Sequence, residues 1–117
     1  MTHRPLKLSI RIEAEGTRLG PGKIRLLELI GETGSISAAG RRMKMSYRRA
    51  WSLIAELNAT LPEPVVTAQP GGRHGGGAAL TPYATALVAA YREMEAAATE
   101  RAAQGVAPLL EGGGPDA

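Results

Sequence analysis

Five basic residues, Arg41, Arg42, Lys44, Arg48 and Arg49, lie between Glu32 and Glu56 in a stretch that contains no acid. Clustered bases without interleaved carboxylates create the positive field that a polyanion needs. Guanidinium groups add geometry to charge, since each can donate two hydrogen bonds to O6 and N7 of a guanine or clamp a phosphate. A second acid-free stretch, between Glu63 and Glu93, holds Arg73 and His74 inside the run GGRHGGG. Acids return in the C-terminal third, at Glu93, Glu95, Glu100, Glu111 and Asp116. A charge run is usually no more than a solvated face. It points to nucleic acid when the bases fall on elements shaped to reach it.

Other chemistries find no residues. His3 and His74 sit at the ends of unrelated elements, and no Ser–His–acid set or carboxylate pair emerges. With no cysteine there is neither a disulfide framework nor a thiolate metal site, which fits a reducing, cytoplasmic setting. The glycine run lacks the following Lys-Ser or Lys-Thr and the preceding buried strand of a nucleotide-phosphate loop. His74 is expected to be exposed and free of metal. No enzyme, metal site or cofactor is expected.

The elements that must position the bases follow from pattern. Leu6, Leu8, Ile10 and Ile12 alternate with polar residues, the period of a half-buried strand, which Gly16 ends. Pro21 suits a helix first turn, and Ile24, Leu26, Leu27, Leu29 and Ile30 predict about three helical turns with an exit at Gly31 or Gly34. Ser35 and Ser46 read as two N-caps eleven residues apart. The first opens a short helix striped by Ile36, Ala39 and Met43. The second opens a helix to about Thr60 with Ala50, Leu53, Ile54, Leu57 and Leu61 on one face, stopped by Pro62 and Pro64. Val65–Gln69 and Ala78–Leu80 read as two short strands around the glycine run. Thr81-Pro82 starts a helix to about Gln104, and residues 105–117 are expected to form a flexible tail.

Strand, three helices, hairpin and long helix make a mainly α domain with a small β wing, a winged helix-turn-helix over residues 1–104. Composition agrees: 44% of residues are apolar but only 3% aromatic, so Ala, Leu and Ile must do the packing. No stretch approaches the ~20 apolar residues that cross a bilayer. In this arrangement helix 46–60 offers its N-terminal residues to base edges in the major groove, and the wing 70–77 runs along the backbone. The expected DNA-contacting set is Ser35, Arg41, Arg42, Lys44, Ser46, Tyr47, Arg48, Arg49, Ser52, Arg73 and His74. Trp51 is expected to fill the core or support the helix rather than meet a base. The helix 81–104, roughly 35 Å long, outreaches so small a core. Leu87, Tyr91, Met94 and Ala98 recur on it at three and four, and predict a homodimer.

The words TGSISAAGRRMKMSYRRAWSLIAELN (33–58) and GGRHGGGAALTP (71–82) resemble the N-terminal domain of molybdate-responsive transcriptional regulators of the ModE type, a winged helix related to LysR-type DNA-binding domains. The resemblance covers about residues 6–104. It implies a dimer joined largely by the long helix, and recognition through Ser46, Tyr47, Arg48, Arg49 and the wing around Arg73. It also implies regulation of molybdenum uptake or molybdoenzyme genes. The family's molybdate sites lie in a C-terminal domain without counterpart in residues 105–117, so sensing is expected to fall to a separate molybdate-binding protein. The alternative is an adaptor that keeps the winged helix but binds another regulator. The cluster from Arg41 to Arg49 favours double-stranded DNA as the partner.

Overall fold

The computed structural model describes residues 6–70 and 77–112. It places β1 (Ile12–Ala14), β2 (Thr17–Leu19), α1 (Pro21–Thr33), α2 (Ile36–Arg42), α3 (Tyr47–Thr60), β3 (Val66–Gln69), β4 (Gly77–Leu80), α4 (Pro82–Gly105) and α5 (Ala107–Leu110) in that order. The core is built where α1, α2 and α3 converge on the β3–β4 hairpin. Ile24, Leu26, Leu27 and Ile30 of α1 meet Ala39 of α2, Ala50 and Leu57 of α3, and Val65 just before β3, all fully buried. Aliphatic side chains and alanine fill this space, as the scarcity of aromatics demands.

Local signals place the helix ends. Pro21 opens α1, and Gly34 closes it in the left-handed region at φ 70°, its N–H donating to the carbonyl of Ile30. Gly31 lies inside the helix rather than at its exit. A Cβ there would stand 3.1 Å from Cδ1 of Leu80, so this glycine lets β4 approach α1. Thr81 caps α4 twice over: its Oγ1 accepts from the N–H of Ala84 and donates to the carbonyl of Pro64.

The N-terminal strand is displaced from its expected place. Half-buried Leu6, Leu8 and Ile10 do alternate with exposed Lys7 and Ser9. The ladder, however, is confined to β1 and β2, paired antiparallel around Gly16 with Ile12 opposite Leu19. Alternation reports which side of a segment is covered, whereas a ladder needs a second strand in register, and only residues 12–14 have one. The preceding segment is tied down at one point, where the Tyr91 hydroxyl donates to the carbonyl of Ile10.

Only Ala84 and Tyr91 of the 24 residues of α4 are buried. The radius of gyration is 17.9 Å, against about 13 Å for a compact chain of this size. Within the segment expected to be a flexible tail, residues 107–110 form the single turn of α5, with Val106, Leu109 and Leu110 exposed.

Candidate nucleic-acid interface

Helices α2 and α3 form a tight pair. Ser35 Oγ accepts from the N–H of Ala38, and Ser46 Oγ accepts from the N–H of Arg49, each at 3.0 Å. Between the helices the chain turns through Met43, Lys44 and Met45, whose N–H groups reach back to carbonyls of Ala39, Gly40 and Arg41. Lys44 sits at φ 58°, the left-handed region that a residue with a Cβ enters only at some cost. Gly40 sets the separation: a Cβ there would stand 3.1 Å from Cβ of Ala50.

Arg41, Arg42, Lys44, Arg48 and Arg49 are all exposed. Among the described residues none forms an ion pair, whereas Arg11, Arg18, Lys23, Arg25 and Arg92 each lie within reach of a carboxylate. Arg41 donates to Ser37 Oγ at 2.9 Å, a bond that orients it without neutralising it. Tyr47 and Ser52 are exposed on α3, Ser46 is exposed as its cap, and Ser35 is half-buried. The β3–β4 hairpin follows in register, Val66 opposite Leu80 and Gln69 opposite Gly77. Arg73 and His74, expected at its tip, lie outside the described residues.

Trp51 departs from expectation. It is 54% exposed instead of filling the core. At about 100° per residue, Ala50, Leu53, Ile54 and Leu57 already occupy the buried arc of α3. Trp51 falls on the flank that carries Tyr47, Ala55 and Asn58. That flank and the hairpin strands wall a groove of about 380 Å³, which Ser35 and Ile36 also line. Asn58 was not singled out by any pattern, yet it holds hairpin to helix. Its Oδ1 accepts from the N–H of Val65 at 2.7 Å, and its Nδ2 donates to the carbonyl of Val66 at 3.4 Å.

The four residues expected to meet a second copy are placed differently from one another. Tyr91 is 2% exposed in its own chain, and burial raises its hydroxyl pKa. Leu87 and Met94 are half-buried against the core, and Ala98 is half-buried beyond it. Beside Tyr91, Arg92 locks α4 to α1, donating to Glu28 at 2.8 and 3.0 Å and to Glu95 at 2.7 Å. The bonds from Arg92 hold the Glu28 carboxyl below its ordinary pKa, against the opposing effect of burial. The same partners raise the pKa of Arg92.

A capped helix pair followed by an antiparallel hairpin, with unpaired bases at the start of the second helix, defines a winged helix-turn-helix domain. Residues 22–85, more than half of the chain, match the bacterial regulatory helix-turn-helix proteins of the lysR family, and the chain belongs to that family. Among its relatives is the molybdenum-pterin-binding protein MopB of Rhodobacter capsulatus, 48% identical over 99 residues that make up 85% of this chain and 34% of MopB. The molybdenum transport protein ModE of Azotobacter vinelandii is 46% identical over 80 residues, 68% of this chain and 30% of that protein. The DNA-binding transcriptional dual regulator ModE of Escherichia coli is 37% identical over 86 residues, 74% and 31% of the two chains. The chain thus spans about a third of the length of these relatives. Among the described residues no helix is long and apolar enough to cross a membrane, and no group of His, Cys, Asp or Glu has the makings of a metal site.

Proposed function

We propose that this chain binds operator DNA as a homodimer and regulates transcription of molybdenum-related genes. The observation that carries the reading is the set of five exposed bases on α2, α3 and the turn between them, none paired with an acid among the described residues. Charges that stabilise a fold are normally partnered, as Arg92 is here. Charges left free together on a recognition helix are available to phosphates and guanines. Arg48 and Ser52 occupy the outward face of α3, where base edges would lie. Arg41, Arg42 and Lys44 flank the turn, where the backbone would pass.

The dimer reading rests on α4. A helix of 24 residues with two buried side chains has too little of its own chain to cover it, and isolated helical stretches are marginal in water. A second copy laid along its half-buried side, at Met94 and Ala98, supplies the missing cover. The link to molybdenum rests on the relatives, which include a molybdenum-pterin-binding protein and a molybdenum transport protein.

The test is selection of duplexes from a random pool, followed by affinity measurement against salt. Specific binding is expected, with log K falling by about 0.9 for each phosphate neutralised. In a dimer, losing one phosphate-contacting base per copy should flatten that slope by about 1.8. Failure to enrich any duplex, with only weak sequence-independent binding, would remove the reading.

A further inference from the structure

We propose that Trp51 is a specificity-determining residue that presents its indole to thymine methyl groups in the major groove; the inference rests on the DNA-binding reading above. Trp51 is 54% exposed and Tyr47, one helical turn earlier, is 58% exposed. Neither is required by the core, which Ala50, Leu53, Ile54 and Leu57 complete on this helix. So large an apolar surface left in water on the second helix of a helix-turn-helix calls for an occupant.

The surroundings say which one. The two aromatics stand on the flank of α3 that faces the hairpin, as one wall of a groove whose other wall is built from Val66, Ala68, Gly77 and Ala78. Beside them on the outward face is Arg48, exposed and without an acid partner among the described residues. The surface thus sets an apolar strip next to a positive one. The edge of a duplex offers the complement: phosphates outside, and in the major groove the 5-methyl of thymine, the one apolar group that distinguishes T·A from the other pairs. Arginine at Arg48 can take a guanine or a phosphate, and the indole beside it reads the neighbouring methyl by exclusion of water.

Trp51 is the only tryptophan in the chain, so its fluorescence reports its own environment. The experiment uses the full chain and the duplex enriched from the random pool. On binding, the emission should shift to the blue or be quenched, and iodide access should fall. Replacing individual thymines by deoxyuridine removes only the methyl. At one or two positions this should weaken wild-type binding about fourfold, the equivalent of roughly 0.8 kcal/mol for one buried methyl. In Trp51→Ala the same replacements should have no effect, while the salt slope stays at the wild-type value because no charge is lost. Trp51→Phe should restore part of the sensitivity. If a duplex is enriched but iodide still reaches Trp51 in the complex, or deoxyuridine acts equally on wild type and Trp51→Ala, the proposal is overturned while the DNA-binding reading stands. If no duplex is enriched, both fall together.

Discussion

Replacing Asn58 by alanine should loosen the wing from the recognition helix without touching a charge. Asn58 Oδ1 accepts from the N–H of Val65 at 2.7 Å, and Val65 is fully buried. Removing the acceptor strands a backbone donor in the core, a loss of about 1–3 kcal/mol. Asn58 itself is exposed, so water can reach part of the vacated space, and about 1.5 kcal/mol is the expected figure. With an unfolding entropy of about 2.1 cal/mol/K per residue, a chain of this length should lose roughly 6 °C in Tm. The comparison must be made at one protein concentration, because a dimer makes Tm concentration-dependent. Amide exchange at Val65 should accelerate. DNA affinity should fall at every salt concentration with an unchanged slope, since the hairpin is misplaced but no phosphate contact is deleted. Asn58→Asp keeps the acceptor for Val65 but sets a carboxylate oxygen against the carbonyl of Val66 in place of the amide donor, so it should recover part of the stability. An Asn58→Ala protein within 0.3 kcal/mol of wild type, a threshold set below the typical worth of a hydrogen bond, would refute the reasoning. So would an Asn58→Asp protein as unstable as Asn58→Ala.

Arg48→Ala and Arg49→Ala should each weaken operator binding by about 1–3 kcal/mol if the side chain reads a base. Titration against operator and random duplex separates the cases: lost discrimination marks base reading and uniform weakening marks phosphate contact, and full affinity in the double variant would remove α3 from the interface. Ala98→Glu should abolish the dimer with little change in helix content, because Ala98 lies beyond the core; a wild-type chain that sediments as a monomer at micromolar concentration would end the dimer reading. The Glu28 carboxyl is held below its ordinary value of 4.5 chiefly by Arg92. Its contribution is therefore complete above pH 4.5 and is lost as pH falls through the lower folded value. Denaturant unfolding should show wild type converging on Glu28→Gln at acid pH, and curves that stay parallel over the whole acid range in which the protein folds would contradict it. Tyr91→Phe should cost about 1 kcal/mol by freeing the carbonyl of Ile10, seen as a lower Tm and faster exchange in residues 6–11.

Much of the site was legible because it is written in short-range terms. A cap needs a serine or threonine and a free N–H three residues on, so Ser35, Ser46 and Thr81 announce themselves, and each accepts the bond its position predicts. An acid-free run of bases is equally visible along the chain. Since α2 and α3 are joined by so short a turn, bases near in sequence stay near in space. What tertiary structure decided is who covers whom. Periodicity showed that residues 6–10 had a covered side, though Ile12 is exposed, but could not supply the strand that makes a ladder. Nor could it tell that four smaller residues fill the buried arc of α3 and leave Trp51 outside. Tyr91 carried the spacing of an interface residue, yet the extended segment ending at Ile10 folds back to take its hydroxyl. The pairing of Arg92 with Glu28 spans 64 residues, and the grip of Asn58 on Val65 depends on a chain reversal at Pro62 and Pro64. Such contacts depend on the relative placement of elements, and that placement is fixed only when apolar faces with no local preference for one another are buried together.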